Sequence, residues 1–230
     1  LAQVMDLDNP RKAEIEVNVK ACINRLKNYQ LANGGFAYWE NETQQADEWG
    51  TSYAGHFMLE AQSKGYKLPD ELLSAWLVYQ TREANNWKPG RQNYNTDLTQ
   101  AYRLYTLALA KKPALSAMNM MRETRETDPA ARWRLAAAYG VAGKPEVGEQ
   151  LIHGLQHKPG VHENYSGTYG SYGRDLGMML ETMVTLNRRD QAKAMALDAA
   201  NLLSSDEWMS TQTSAGLLMA LSKYAGGGNS

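Results

Sequence analysis

Apolar residues recur along the chain at three- and four-residue steps, interrupted by short groups of Gly, Pro, Asn and Asp. This period predicts helix after helix. Ile15, Val19, Cys22, Ile23 and Leu26 share one face of a first helix over roughly 10–29, with Asn9 as N-cap and Pro10 in the first turn. A second helix over roughly 51–64 stops at Gly65, and a third starts at Pro69 and carries Leu72, Leu73, Trp76 and Leu77. The fourth, roughly 96–111, halts at Lys111-Lys112-Pro113, and the fifth runs over roughly 114–126. Asp128-Pro129 caps a sixth that ends near Gly140, and Pro145 opens a seventh reaching about 157. After the loop "KPGVHENYSGTYGSYG" come three more, over roughly 173–187, 189–204 and 209–225.

Odd and even helices differ in kind. The odd ones carry one apolar stripe and a face of Lys, Arg, Glu and Gln. The even ones are apolar or small nearly all round, as in "YAGHFMLEA", "WRLAAAYGVA" and "LGMMLETMVTL". A helix apolar on every side is buried on every side. The alternation therefore predicts two layers, with even helices inside and odd ones outside. The inner helices begin near 51, 96, 130, 173 and 209, a repeat of roughly 40 residues that signals an array of helical hairpins. The fold expected is all-α, an α/α toroid of about five hairpins, forming a single domain over 1–230. Two Phe, 11 Met and few β-branched runs fit the absence of sheet.

Each inner helix opens with small polar or capping residues: Thr51-Ser52, Thr96-Asp97, Asp128, Arg174-Asp175 and Ser210-Thr211-Gln212. In a parallel inner ring these share one mouth, where helix dipoles present their positive ends. Phe36, Tyr38, Trp39, Trp49, Trp87, Tyr94, Tyr165, Tyr169, Tyr172 and Trp208 cluster in the connections. They either bind a ligand or partner, or plug gaps between hairpins; Phe36 and Trp39 are expected to seal the barrel. Trp39, Trp49, Tyr94, Asp97, Tyr172, Asp175, Trp208 and Gln212 are the candidate mouth and docking residues.

The remaining chemistry is sparse. A formal charge of −1 gives no electrostatic footprint for nucleic acid or an acidic membrane surface. No apolar run approaches the ~18–20 residues needed to span a bilayer. No basic stretch followed by an apolar one marks a signal peptide, and the start at Leu1 and the "GGGNS" end fit a fragment of something longer. His153 and His157 stand at i and i+4, a spacing that clasps metal, but HExxH is lacking and a surface pair is expected. His56 is expected to be buried and hydrogen-bonded. Cys22, on the apolar stripe of the first helix, is expected to be a buried inert thiol. Asp47, Glu48, Asp97, Asp128 and Asp175 offer carboxylates at the mouth for glycosidase-like chemistry, yet Asp97, Asp128 and Asp175 sit where caps belong and Arg174-Asp175 is a natural ion pair. No catalytic residue, cofactor or metal site is assigned.

Five segments carry a family resemblance: "INRLKNYQLANGGFAYW", "GTSYAGHFMLEAQSKGY", "TDLTQAYRLYTLALAKK", "YGSYGRDLGMMLETMVTLNR" and "WMSTQTSAGLLMALSKYA". In this order they resemble the thioester-domain toroid of the bacterial alpha-2-macroglobulin family. The Gln30–Trp39 pattern is shared more loosely with terpenoid cyclases and protein prenyltransferases, also α/α toroids. The resemblance implies a six-hairpin barrel of which five hairpins are visible, set in a large multidomain endopeptidase inhibitor that traps proteases once its bait region is cut. Its implied partners are neighbouring macroglobulin-type domains of the same parent chain and target proteases. Its implied location is the periplasm or outer cell surface, with a lipid anchor in many relatives. The family's reactive Cys-x-Glu-Gln is not in this sequence: Cys22 precedes Ile23-Asn24-Arg25. Nor does a histidine precede the fourth helix, where Asn93-Tyr94-Asn95 stand. The implied role is therefore non-catalytic. The alternative is a toroid enzyme of cyclase, prenyltransferase or glycosidase type, with its site at the mouth.

Overall fold

In the computed structural model, residues 8–89, 96–124, 127–160 and 167–226 are described, and their regular structure is helical. The helices are α1 (Asn9–Leu26), α2 (Glu48–Ser63), α3 (Asp70–Asn86), α4 (Thr96–Leu109), α5 (Leu115–Glu123), α6 (Pro129–Val141), α7 (Pro145–Ile152), α8 (Tyr172–Thr185), α9 (Arg189–Leu203) and α10 (Thr211–Gly226). A lone antiparallel bridge, Gln30 to Phe36, is the one extended pairing among the described residues.

The two-layer reading holds for the middle of the chain. Leu98–Ala108 of α4 and Gly173–Met183 of α8 are buried without a break, and α6 is buried at Trp133–Tyr139. α4 packs on α6, α6 on α8, α8 on α10, and α2 on α4, so the even helices are neighbours in succession. The odd helices lie over them, each with a single stripe inward: Leu72, Trp76, Tyr79 and Ala84 of α3, and Ala192, Met195, Ala196 and Ala199 of α9. At the ends of the row the reading needs correcting. α10 buries only Thr213, Leu217 and Ala220, because α2 and α10 do not pack on each other as the others do. α1 buries only Ile23; Ile15 and Cys22 are exposed, so Cys22 is not a core thiol. The stripe on α1 is real, but only α2 lies close to it.

Local signals mostly act as expected, with shifts of register. Asp8, not Asn9, caps α1 by accepting from Arg11 N–H. Asp47 caps α2, which starts before Thr51-Ser52, and Asp128 caps α6 through Ala130 and Ala131 N–H. Ser171, not Asp175, caps α8. α7 ends at Ile152: His153 is extended and Gly154 has φ +77°, so His153 and His157 do not share a helix and cannot clasp a metal at helical spacing.

The α1–α2 connection is a packed joint. Gly34 has φ +92°, and a Cβ there would lie 2.2 Å from the Ala75 carbonyl oxygen of α3. Gln30 donates from its amide to the Leu72 carbonyl at 2.9 Å. Phe36 is buried and its N–H donates to Thr51 Oγ1 at 2.9 Å, while the Trp76 indole N–H donates to the Thr51 carbonyl at 2.9 Å. Trp76 lies flat against Gly55, where a Cβ would fall 2.1 Å from the indole ring. Glycine is what lets α2 and α3 approach this closely.

Candidate functional site

The N-terminal ends of α2, α8 and α10 come together, and the candidate residues separate into two kinds. Trp49 and Gln212 join α2 to α10: the Trp49 indole N–H donates to Gln212 Oε1 at 3.1 Å. The Trp49 ring is 4% exposed, packs at 4.7 Å on Tyr102, and lies under the Arg174 guanidinium at 5.2 Å. Arg174 in turn donates to Asp175 Oδ1 at 2.7 Å and to the Thr168 carbonyl at 2.9 Å. Asp175 is thus half of a buried ion pair, as its position next to Arg174 suggests. These residues build the mouth's floor.

The second kind faces outward. Trp208 is 83% exposed and Trp39 68%. Trp39 therefore does not plug the interior, whereas Phe36 is buried. Trp39 meets Tyr38 edge-on at 4.9 Å, and Tyr38 stacks on Tyr169 of the α7–α8 connection at 6.2 Å. Burial, together with Tyr38, pushes the Tyr169 phenol up to about 12. Tyr172 at the start of α8 is also exposed. Tyr38, Trp39 and Tyr169 thus form an open aromatic platform. Tyr94, Tyr165 and His162 lie outside the described residues.

Three of the five candidate carboxylates are committed elsewhere. Asp47 and Asp128 cap helices, and Asp175 is paired with Arg174. Asp97 is in the first turn of α4; partial burial pushes its carboxyl up, and the charge of nearby Asp128 adds to that. Among the described residues no group of three or more His, Cys, Asp and Glu is placed to hold a metal, and no helix is long and apolar enough to cross a membrane.

The densest polar constellation lies deeper, along the seam between α2 and α10, and the sequence reading missed most of it. His56 Nδ1 is 3.0 Å from the Tyr102 hydroxyl, and its Nε2 faces Glu60 Oε1 at 3.6 Å, beyond hydrogen-bond reach. Lys223 of α10 donates to Glu60 at 2.6 Å and to Glu181 of α8 at 2.9 Å. Arg134 of α6 donates to Glu181 at 2.6 Å and lies 4.4 Å from the Tyr105 ring centre. His56 and the Lys223 ammonium hold the Glu60 carboxyl down to about 2. Burial opposes ionisation of Glu181, but Lys223 and Arg134 outweigh it and hold its carboxyl well below the usual range. His56 is the buried hydrogen-bonded histidine expected. The signal for the rest was available: Arg134 and Glu181 are the lone charges of the apolar stretches "WRLAAAYGVA" and "LGMMLETMVTL", and a buried charge needs a partner.

No family model matches the chain. Alpha-2-macroglobulin of Escherichia coli strain K12 is 27% identical over 235 residues, covering 94% of this chain and 13% of that protein. The crystal structure of native E. coli alpha-2-macroglobulin from domain MG7 to the C-terminus superposes with a TM-score of 0.77, at 25% identity, over 97% of this chain and 36% of that one. The chain is homologous to bacterial alpha-2-macroglobulin. It spans about an eighth of the length of that alpha-2-macroglobulin relative. E. coli alpha-2-macroglobulin activated by porcine elastase matches the same chain with a TM-score of 0.73, at 25% identity, over 94% of this chain and 20% of that one. The all-helical fold is thus that of a region of alpha-2-macroglobulin found in both the native and the elastase-activated protein.

Proposed function

We propose that this chain is the thioester-domain-like α/α toroid, five hairpins of an incomplete six-hairpin barrel, of a larger bacterial alpha-2-macroglobulin-type endopeptidase inhibitor. It contributes to protease trapping without chemistry of its own. The observation that carries this reading is homology to alpha-2-macroglobulin along 94% of the chain. Consistent with it, the single cysteine stands in Cys22-Ile23-Asn24-Arg25 rather than Cys-x-Glu-Gln, so this stretch offers no internal thioester.

The module's part is docking. Exposed Trp39 and Trp208, with Tyr38, Tyr169 and Tyr172, present apolar area to solvent, the type of surface that protein partners cover. Neighbouring macroglobulin-type domains are the partners in the resting parent, and the trapped protease is the partner after bait cleavage. Similar match quality to native and elastase-activated E. coli structures supports a module that moves as a unit. The parent works in the periplasm or on the outer cell surface. The test is Trp39→Ala with Trp208→Ala in the full-length parent. Protease retention after bait cleavage falls while the melting temperature is unchanged. Retention equal to the unaltered protein refutes docking through this face.

A further inference from the structure

The five outward aromatics, Tyr38, Trp39, Tyr169, Tyr172 and Trp208, lie in or beside three connections that touch one another. Tyr38 stacks on Tyr169, the Gln212 amide donates to the Thr168 carbonyl at 3.5 Å, and the Ser171 and Thr213 hydroxyls are 2.8 Å apart. The Ser210 hydroxyl donates to Thr213 Oγ1 at 3.0 Å, which holds the segment just after Trp208 against the same spot. Elsewhere the chain covers its own rings with arginine: Arg82 lies on Tyr79 at 5.1 Å, Arg134 on Tyr105 at 4.4 Å, Arg174 on Trp49 at 5.2 Å and Arg189 on Tyr224 at 5.4 Å. Among the described residues no guanidinium lies over any of the five outward rings.

The charges around these rings are of one sign. Asn28 to Ser63, which carries Tyr38 and Trp39, contains Glu40, Glu42, Asp47, Glu48 and Glu60 and neither Lys nor Arg. Ala194 to Ser222, which carries Trp208, contains Asp198, Asp206 and Glu207 and neither Lys nor Arg. Glu40 is held by Arg25 and Asn28, but Glu42, Asp206 and Glu207 are exposed, and no described basic group pairs with them. Resting on the docking role above, we propose that this face docks an arginine-bearing stretch of a protein partner, with a guanidinium laid over Trp39 or Trp208 and its charge met by Glu42, Asp206 or Glu207. A planar guanidinium suits both tasks, since it stacks on a ring and forks onto a carboxylate. The same charge repels a second copy of this face, an anionic membrane and nucleic acid.

The probes are an acetylated Arg-Gly-Arg-Gly-Arg amide and its citrulline counterpart, which keeps the shape and loses the charge. They are titrated into protein carrying fluorotryptophan, with the fluorine resonances assigned through Trp39→Phe and Trp208→Phe. The arginine peptide shifts Trp39 and Trp208 saturably and leaves buried Trp76 and Trp133 unmoved. The citrulline peptide binds about fivefold more weakly. Glu42→Gln combined with Asp206→Asn and Glu207→Gln, all at exposed positions, weakens the arginine peptide by about the same factor, whereas Glu71→Gln in the first turn of α3 leaves it unchanged. Absence of saturable shifts at Trp39 and Trp208 overturns the proposal, and so does equal affinity for the two peptides or for the neutralised variant. If that failure comes with reduced protease retention in the Trp39→Ala, Trp208→Ala parent, docking stands and the partner is uncharged. If retention is unaltered as well, the docking role itself falls.

Discussion

At the scale of single residues, position in the packing decides consequence more than residue type does. Trp76 and Trp208 are both tryptophans in a helical array, yet one is fully enclosed and the other 83% exposed. Gly55 owes its identity to Trp76, whose indole occupies the space a Cβ would need. Gly55→Ala is expected to cost about 2–3 kcal/mol by overpacking, measured as a lower urea midpoint with unchanged slope. A midpoint equal to that of the unaltered protein means that α2 and α3 can separate without penalty. Cys22 makes the opposite point. It lies on an apolar stripe but in an exposed place, so it is expected to react stoichiometrically with a maleimide in the folded protein. Reaction only after denaturation contradicts the exposure described.

At the scale of elements, the helices are unequal in how firmly they are held. α4, α6 and α8 are enclosed by neighbours on all sides, whereas α1 buries one residue and approaches only α2. Local opening requires little where few apolar contacts are lost. Hydrogen exchange is therefore expected to be fast over Asn9–Cys22 and slowest in α6 and α8. Protection of α1 equal to that of α8 shows instead that α1 is covered in solution. The same asymmetry explains why the mouth divides as it does. Trp49 and Asp175 sit in first turns of buried helices and become floor, while Trp39 and Trp208 sit in connections and remain outside.

At the scale of the whole molecule, α2, α6, α8 and α10 meet in one ionic cluster, and their cohesion there depends on its charge state. Folded Glu60 and Glu181 titrate below their unfolded values. On acidification the unfolded chain takes up protons first, so the stability these carboxylates contribute is present above about pH 4.5 and is lost as pH falls toward 2. Urea midpoints are expected to drop steeply through that window. Glu181→Gln, by leaving Arg134 and Lys223 short of a counter-charge in the interior, is expected to cost about 3–5 kcal/mol at neutral pH. It should also flatten the acid dependence. A variant with unaltered stability and the same acid profile removes the cluster from any role in holding the seam.

The sequence by itself determined the helices and their alternation. Apolar period, caps such as Asp128, and stops at Gly65 and Lys111-Lys112 are local properties, and a helix apolar all round has no stable place except inside. What only the tertiary structure decided is closure. Whether α2 and α10 meet, whether the stripe on α1 is covered, and which mouth aromatics turn inward depend on contacts between residues more than a hundred positions apart. Lys223 and Glu60, 163 residues apart, join across the seam. No local pattern marks such a pair, because the energy that selects it exists only once the chain has brought both charges out of water into one place.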